Sequence, residues 1–134
     1  MSTGISIDSS MFIDHMRAKD KAKTSLAKVL RLYAEYFIST VVEYEVEVGM
    51  TESYRELWND LLESMTVVPF DSSMVVAACD IKHQLKTQGI QIELADLFIA
   101  ATAMEKGLPL ATLNHRHFKQ IEGLKLFYPE QDQP

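Results

Sequence analysis

A three-layer α/β domain, with a short central parallel sheet flanked by helices, is the fold this sequence predicts. Short apolar stretches alternate with segments whose apolar residues recur at i, i+3, i+4 and i+7, the order of strands and helices that a parallel sheet requires. Several of the passages from stretch to helix carry Asp, Ser or Thr, the residues that cap helix starts. With 134 residues and 47% apolar side chains the chain is sized for one core, and no repeat, linker or low-complexity segment interrupts it. Residues 1–134 therefore read as a single domain whose polar, proline-bounded end, from about residue 129, is expected to fray.

Taken in order, GISID at residues 4–8 reads as a strand that runs into a helix start at Asp8, Ser9 and Ser10. Asp8 ends that strand, where it serves as a cap or as a ligand. Met11, Phe12 and Met16 continue the helix, with Asp14 and His15 expected to face solvent. Residues 20–36 then predict a longer helix on the spacing of Leu26, Val29, Leu30, Tyr33, Ala34 and Phe37, and residues 37–40 a second strand. Residues 41–49 are ambiguous. Their alternation reads as a strand with Glu43, Glu45 and Glu47 on a wet face. As a helix, the same residues put Glu45 among Val41, Val42, Val48 and Gly49, a carboxylate on an apolar face that is costly unless it meets a cation.

Tyr54, Leu57, Trp58, Leu61, Leu62 and Met65 mark the next helix, residues 66–70 a strand, and Asp71 or Ser72 a cap. The following helix packs through Met74, Ala78, Ile81 and Leu85 and stops at Gly89; His83 lies on its flank as a packing or surface residue. Leu97, Ala100, Ala101 and Met104 give one buried stripe to a helix that ends at Lys106 and Gly107, with Asp96 beside the stripe in its first turn. Residues 108–112 read as a buried strand, residues 113–118 as a polar turn closed by Phe118, and residues 124–127 as a last short strand after the turn at Gly123.

Thirteen basic against 19 acidic residues leave a net charge of −6, which argues against a simple electrostatic nucleic-acid binder. An acidic pocket charged with a metal ion escapes that objection, because the ion supplies the positive charge a phosphate needs. Arg17, Lys19, Lys21, Lys23, Lys28 and Arg31 read first as a solvated helix surface, and second as a local track for an RNA backbone. The single cysteine, Cys79, reads as a buried apolar filler. No basic leader or membrane-length apolar run is present, so a soluble, cytoplasmic protein is expected.

Asp8, Glu45 and Asp96 belong together on this reading: one follows the first strand, one the second, and one starts the helix before the fourth. Parallel strands bring such residues to one end of the sheet, where converging carboxylates repel unless a hard cation such as Mg²⁺ or Mn²⁺ lies between them. No glycine-rich phosphate loop, Walker lysine, HExxH or CxxC competes with this site, and Ser9 and Ser10 have no evident His–Asp partners.

The sequence resembles the PIN-domain family, in particular its VapC-type toxin ribonucleases. Four blocks carry the likeness: ISIDSSMFID, ISTVVEYEVEVG, ELADLFIAATAMEKGLPLATLNHRHF and GLKLF. The resemblance implies that Asp8, Glu45 and Asp96 are catalytic residues and hold Mg²⁺ or Mn²⁺, and that Asn114 lies at the mouth of the site. It implies a helix for residues 41–48, and it places His117 where many relatives carry a further aspartate and Leu113 where an arginine is usual. Glu93, at i−3 from Asp96, and His117 are auxiliary candidates; Arg116, His115, Lys19, Lys21 and Lys23 are candidate RNA-backbone contacts. The implied activity is metal-dependent endoribonuclease, with an RNA substrate, a cognate VapB-like antitoxin and a homodimer built on the early helices. The alternative is a catalytically degenerate PIN-fold binding or scaffold protein. A carboxylate-metal phosphatase is disfavoured, since Asp8-Ser9-Ser10 lacks the second aspartate of an Asp-x-Asp pair.

Overall fold

The computed structural model describes residues 3–129. Four strands, β1 (Gly4–Ile7), β2 (Glu35–Ser39), β3 (Met65–Val68) and β4 (Leu110–Ala111), form one parallel sheet in the order β3-β2-β1-β4. Among the described residues seven α-helices flank it: α1 (Ser9–Arg17), α2 (Ser25–Leu32), α3 (Thr40–Val48), α4 (Glu52–Glu63), α5 (Ser72–Thr87), α6 (Leu94–Glu105) and α7 (His115–Phe118). The chain steps outward from β1 to β3 and then returns to the far side of β1 for β4. A crevice therefore opens at the carboxyl ends of β1 and β4, where the strand order reverses and open α/β sheets seat their ligands.

Every residue of β1 is buried, which fits a central strand covered on both faces. Around it Ile5, Ile7, Phe12, Leu26, Ile38, Trp58, Met74, Leu85, Ile99 and Phe118 form a core of side chains with almost no exposed surface. The α6 helix is enclosed rather than amphipathic: Leu97, Ile99, Ala100, Ala101, Thr102 and Ala103 are all buried, and the small alanines let it lie close to its neighbours. Thr102 removes its own polar penalty by donating its hydroxyl to the Phe98 carbonyl at 2.8 Å. Gly107, at φ 67°, ends α6 as expected and turns the chain into β4.

The ambiguity at residues 41–49 resolves to helix, against their alternation. Ser39 caps α3 by accepting the Val42 N–H at 3.1 Å, and Val42 and Val46, one turn apart, are the buried residues of its inner face. Val48 lies outside that face, 68% exposed. The acidic outer residue Glu47 is engaged instead: the two terminal guanidinium nitrogens of Arg55, Nη2 and Nη1, donate to it at 2.9 and 3.0 Å, and Trp58 Nε1 donates at 3.0 Å, pinning α3 to α4.

Four further expectations are corrected. The helix predicted across residues 20–36 is a 3-10 turn at Lys21–Lys23 followed by α2, and Tyr36 and Phe37 belong to β2. The Tyr36 hydroxyl turns back and shares its one proton between the carbonyls of Leu30 and Tyr33, closing the end of α2. His15 is buried, not exposed, because Thr24 from the next element supplies a partner for Nδ1 at 2.7 Å. Cys79 is exposed, since α5 turns Met74, Ala78, Ile81 and Leu85 inward and Cys79 sits off that stripe. The expected last strand is reduced to a single parallel bridge between Leu110 and Leu126. Apart from Pro129, the terminal segment expected to fray lies outside the described residues. Among the described residues no helix is long and apolar enough to cross a membrane.

Candidate functional site

Asp8 follows β1 directly, and its backbone N–H donates to the Ala111 carbonyl at 2.9 Å, so the ends of β1 and β4 are fastened at the crevice. Its side chain is 2% exposed. Asp8 precedes α1 as the cap residue but makes no side-chain cap bond. Its Oδ2 instead accepts the hydroxyls of Ser10 at 2.8 Å and Thr112 at 2.7 Å. The cap reading of Asp8 therefore gives way to a carboxylate oriented across the crevice.

Glu45, on α3, accepts the Ser9 hydroxyl at 2.9 Å. Burial pushes its carboxyl above the usual range; the Ser9 bond opposes this, while the charges of Asp8 and Asp96 add to it. Asp96, in the first turn of α6, is likewise raised, chiefly by burial. His117 opposes that shift, and Asp8 and Glu93 reinforce it. The three predicted carboxylates thus stand within reach of one another's charge, brought there by three separate elements.

His117 meets Asp96 across the cleft, with Nδ1 3.1 Å from Oδ2. Glu93, Asp96, Arg116 and His117 line a cleft of about 270 Å³ together with Gln91 and Gln120. Glu45 opens instead onto a smaller hollow of about 90 Å³ with Arg17, Met50 and Tyr54. Asn114 is exposed in the β4–α7 connection, where its backbone N–H donates to Thr112 Oγ1 at 3.0 Å. Asn114 is thereby one hydroxyl removed from Asp8.

The basic candidates divide. Lys21 is committed to structure, its Nζ donating to the carbonyls of His15, Met16 and Ala18 at the end of α1. Lys23 is exposed and lies 3.8 Å from Asp20. Lys19 is exposed, and the His115 ring packs edge-on against Tyr128 with centroids 4.4 Å apart. Of the candidate backbone contacts only Arg116 lines the Asp96 cleft.

Ser9, Ser10 and Thr112 are the site residues that sequence reasoning missed. Ser9 and Ser10 read as a helix start, and Thr112 reads as the end of a strand; nothing local indicates that all three hydroxyls serve carboxylates. The donor set itself fits a hard dication: its candidate ligands are oxygens in mutual repulsion, and among the described residues no lysine or arginine forms an ion pair with Asp8, Glu45 or Asp96. As the side chains stand, no three His, Cys, Asp or Glu groups among the described residues are close enough to hold one ion, so the donors are near one another without being closed on a centre.

A parallel sheet with carboxylates gathered at its switch point defines an α/β protein whose candidate site is built on acidic side chains, and among the described residues neither a phosphate-binding glycine loop nor a nucleophilic triad accompanies it. A family model for the PIN domain matches residues 5–124, and the chain belongs to that family. It is 37% identical over 122 residues to ribonuclease VapC10 of Mycobacterium tuberculosis, covering 90% of each chain. It is 30% identical over 125 residues to ribonuclease VapC1 of Methanocaldococcus jannaschii, covering 92% of this chain and 86% of the relative. The fold is similar to that in the crystal structure of VapBC2 from Rickettsia felis bound to a promoter DNA fragment, at TM-score 0.79 and 19% identity over 92% of this chain and 97% of the other. DNA-bound VapBC from Salmonella typhimurium gives TM-score 0.78 and 20% identity over 95% and 98% of the two chains.

Proposed function

We propose that this protein is a metal-dependent endoribonuclease and the toxin of a VapBC-type toxin–antitoxin pair. One observation carries the reading: Asp8, Glu45 and Asp96 converge at the switch point of a chain whose curated relatives are named ribonucleases. Asp8, Asp96 and Glu45 would hold Mg²⁺ or Mn²⁺. Such an ion, when bound, supplies an activated water and offsets charge on the leaving oxygen of a phosphodiester.

The chain's own residues do the rest. Ser10 and Thr112 fix the Asp8 carboxylate, and Ser9 fixes that of Glu45, so neither has to find its orientation when substrate arrives. Asn114 would orient water or a phosphate oxygen, and Arg116, which lines the Asp96 cleft, would meet the RNA backbone. No nucleophilic side chain is required.

A VapB-like antitoxin is the partner this reading implies, since the solved structures that share the fold include VapBC complexes. A homodimer built on the early helices belongs to the same reading.

The test is cleavage of pooled RNA with Mn²⁺, alongside the heat of Mn²⁺ binding, in the wild type, in Asp96→Asn and in an Asp8→Ala, Asp96→Ala double variant. Cleavage is expected to vanish in both variants and binding in the double one. Full activity in Asp96→Asn would remove the assignment, and a wild type that neither binds Mn²⁺ nor cuts would be a PIN-fold binding protein instead.

A further inference from the structure

We infer that His117 is a nitrogen donor to the ion held by Asp96, and that the site thereby selects a transition-metal dication such as Mn²⁺ over Mg²⁺. This rests on the metal-site reading above and specifies it. His117 is not loosely placed: α7 is anchored by the fully buried Phe118, and the His117 N–H donates to the Asn114 carbonyl at 2.9 Å. That anchoring carries the ring to the first turn of α6, where Nδ1 stands 3.1 Å from Asp96 Oδ2.

Two ligands on adjacent corners of an octahedral ion, each bonded at about 2.1 Å, stand about 3 Å apart. Ring and carboxylate therefore already have the spacing at which one ion takes both. The imidazole is 48% exposed against 17% for the Asp96 side chain, and it faces the open cleft shared with Glu93 and Arg116, so an ion has a path to it.

An imidazole beside Asp96 shapes the chemistry in two ways. It adds no negative charge to the three carboxylates, which favours one dication over two. It also offers a nitrogen donor, which suits the first-row transition ions more than it suits Mg²⁺. His117 thus makes the site a mixed nitrogen and oxygen one.

Mn²⁺ is the probe for the test. Pulsed electron paramagnetic resonance of Mn²⁺-loaded wild type is expected to show the nitrogen hyperfine coupling of a directly bound imidazole. The coupling is lost in His117→Asp and kept in His83→Gln, a change at an exposed histidine on α5. Competition calorimetry reads the same point: the ratio of Mn²⁺ to Mg²⁺ affinity falls roughly tenfold in His117→Asp. Circular dichroism verifies that each variant is folded. Mn²⁺ binding without nitrogen coupling, or an unchanged ratio in His117→Asp, would reduce His117 to a hydrogen-bonding neighbour of Asp96 and overturn the inference alone. A wild type that binds no Mn²⁺ would overturn the metal-site reading and this inference together.

Discussion

Thr112 donates its hydroxyl to Asp8 Oδ2 at 2.7 Å, across 104 residues of sequence. The bond spans the crevice between β1 and β4, and the same Thr112 oxygen accepts the Asn114 N–H, so one buried hydroxyl connects the central carboxylate with the loop beyond β4. Thr112→Val keeps the shape and deletes the hydroxyl. It should lower stability by about 1–3 kcal/mol, the range for deleting a hydrogen bond to a carboxylate, with Ser10 still donating to Asp8. RNA cleavage should fall as well, because Asp8 loses one of its two orienting donors. Thr112→Ser should restore most of both. Urea unfolding and cleavage assays read the result, and a valine variant equal to wild type in both would deny the bond any role.

The conflict among the carboxylates has a stability signature. Glu45 and Asp96 keep their protons to higher pH in the folded chain than in the unfolded one, so folding takes up protons there. Stability accordingly declines as pH rises from the ordinary carboxylate range through the raised values. At neutral pH the charged site strains the fold, and Asp96→Asn relieves part of that strain. The variant should melt about 1–3 °C higher than wild type at pH 7, on the scale of a fraction of a kcal/mol in a domain of this size, with the gap shrinking toward pH 4. Millimolar Mn²⁺ should raise the wild-type melting temperature and leave that of Asp96→Asn nearly unchanged. A lower melting temperature for the variant would contradict the electrostatic account.

These carboxylates were legible in the sequence because each carries a local anomaly. Asp8 ends a strand, Asp96 opens an apolar helix, and Glu45 is out of place once residues 41–49 are helical. Their hydroxyl partners were not legible, since Ser9, Ser10 and Thr112 are ordinary residues whose roles depend on how β1, α1, α3 and β4 meet. The same division runs through the fold. The α5 helix, with its Asp71 cap, its inward stripe and Gly89, can be read from spacing alone. The end of α2 cannot: Phe37 continues the helical spacing of Leu26, Val29 and Tyr33, and pairing of Tyr36 and Phe37 with Ile5 and Ser6 in β1 and with Met65 and Thr66 in β3 draws them into a strand. His15 was misplaced for a similar reason, because its partner Thr24 lies beyond the end of its own helix.

Glu47 gives a prediction about α3. Trp58 is fully buried and its indole N–H finds its acceptor in Glu47, while the ring packs edge-on against Phe12 with centroids 5.1 Å apart. Glu47→Leu leaves that N–H without an acceptor and should cost about 1–3 kcal/mol. Glu47→Gln retains an acceptor oxygen and should cost clearly less. Because Glu45 is two residues away on the same short helix, the leucine variant should also weaken Mn²⁺ binding. Chemical denaturation separates the two substitutions, and equal losses would show that the Arg55 charge pair, not the indole bond, fixes α3.

His15 contributes to the acid sensitivity of the fold. Its burial, helped by the neighbouring Lys21 charge and opposed by Asp14, holds the imidazole below its ordinary pKa. Its Nδ1 meets the Thr24 hydroxyl at 2.7 Å, and that hydroxyl also accepts the Ala27 N–H at the start of α2. The ring therefore sits in the contact between α1 and α2, where burial favours its neutral form. The unfolded chain takes up a proton near pH 6.5 and the folded chain only at lower pH, so the unfolded state binds more protons in the interval between. Stability conferred by the neutral ring is complete above about pH 6.5 and is lost as pH falls through the folded value. The urea midpoint should therefore drop between pH 7.5 and pH 5 in the wild type, and drop less in His15→Gln, where nothing titrates at this position. Both proteins keep the same carboxylates, so the difference between their profiles isolates the histidine. Parallel profiles would mean that His15 is protonated in the folded chain as readily as in the unfolded one, and that the contact with Thr24 does not depend on the neutral ring.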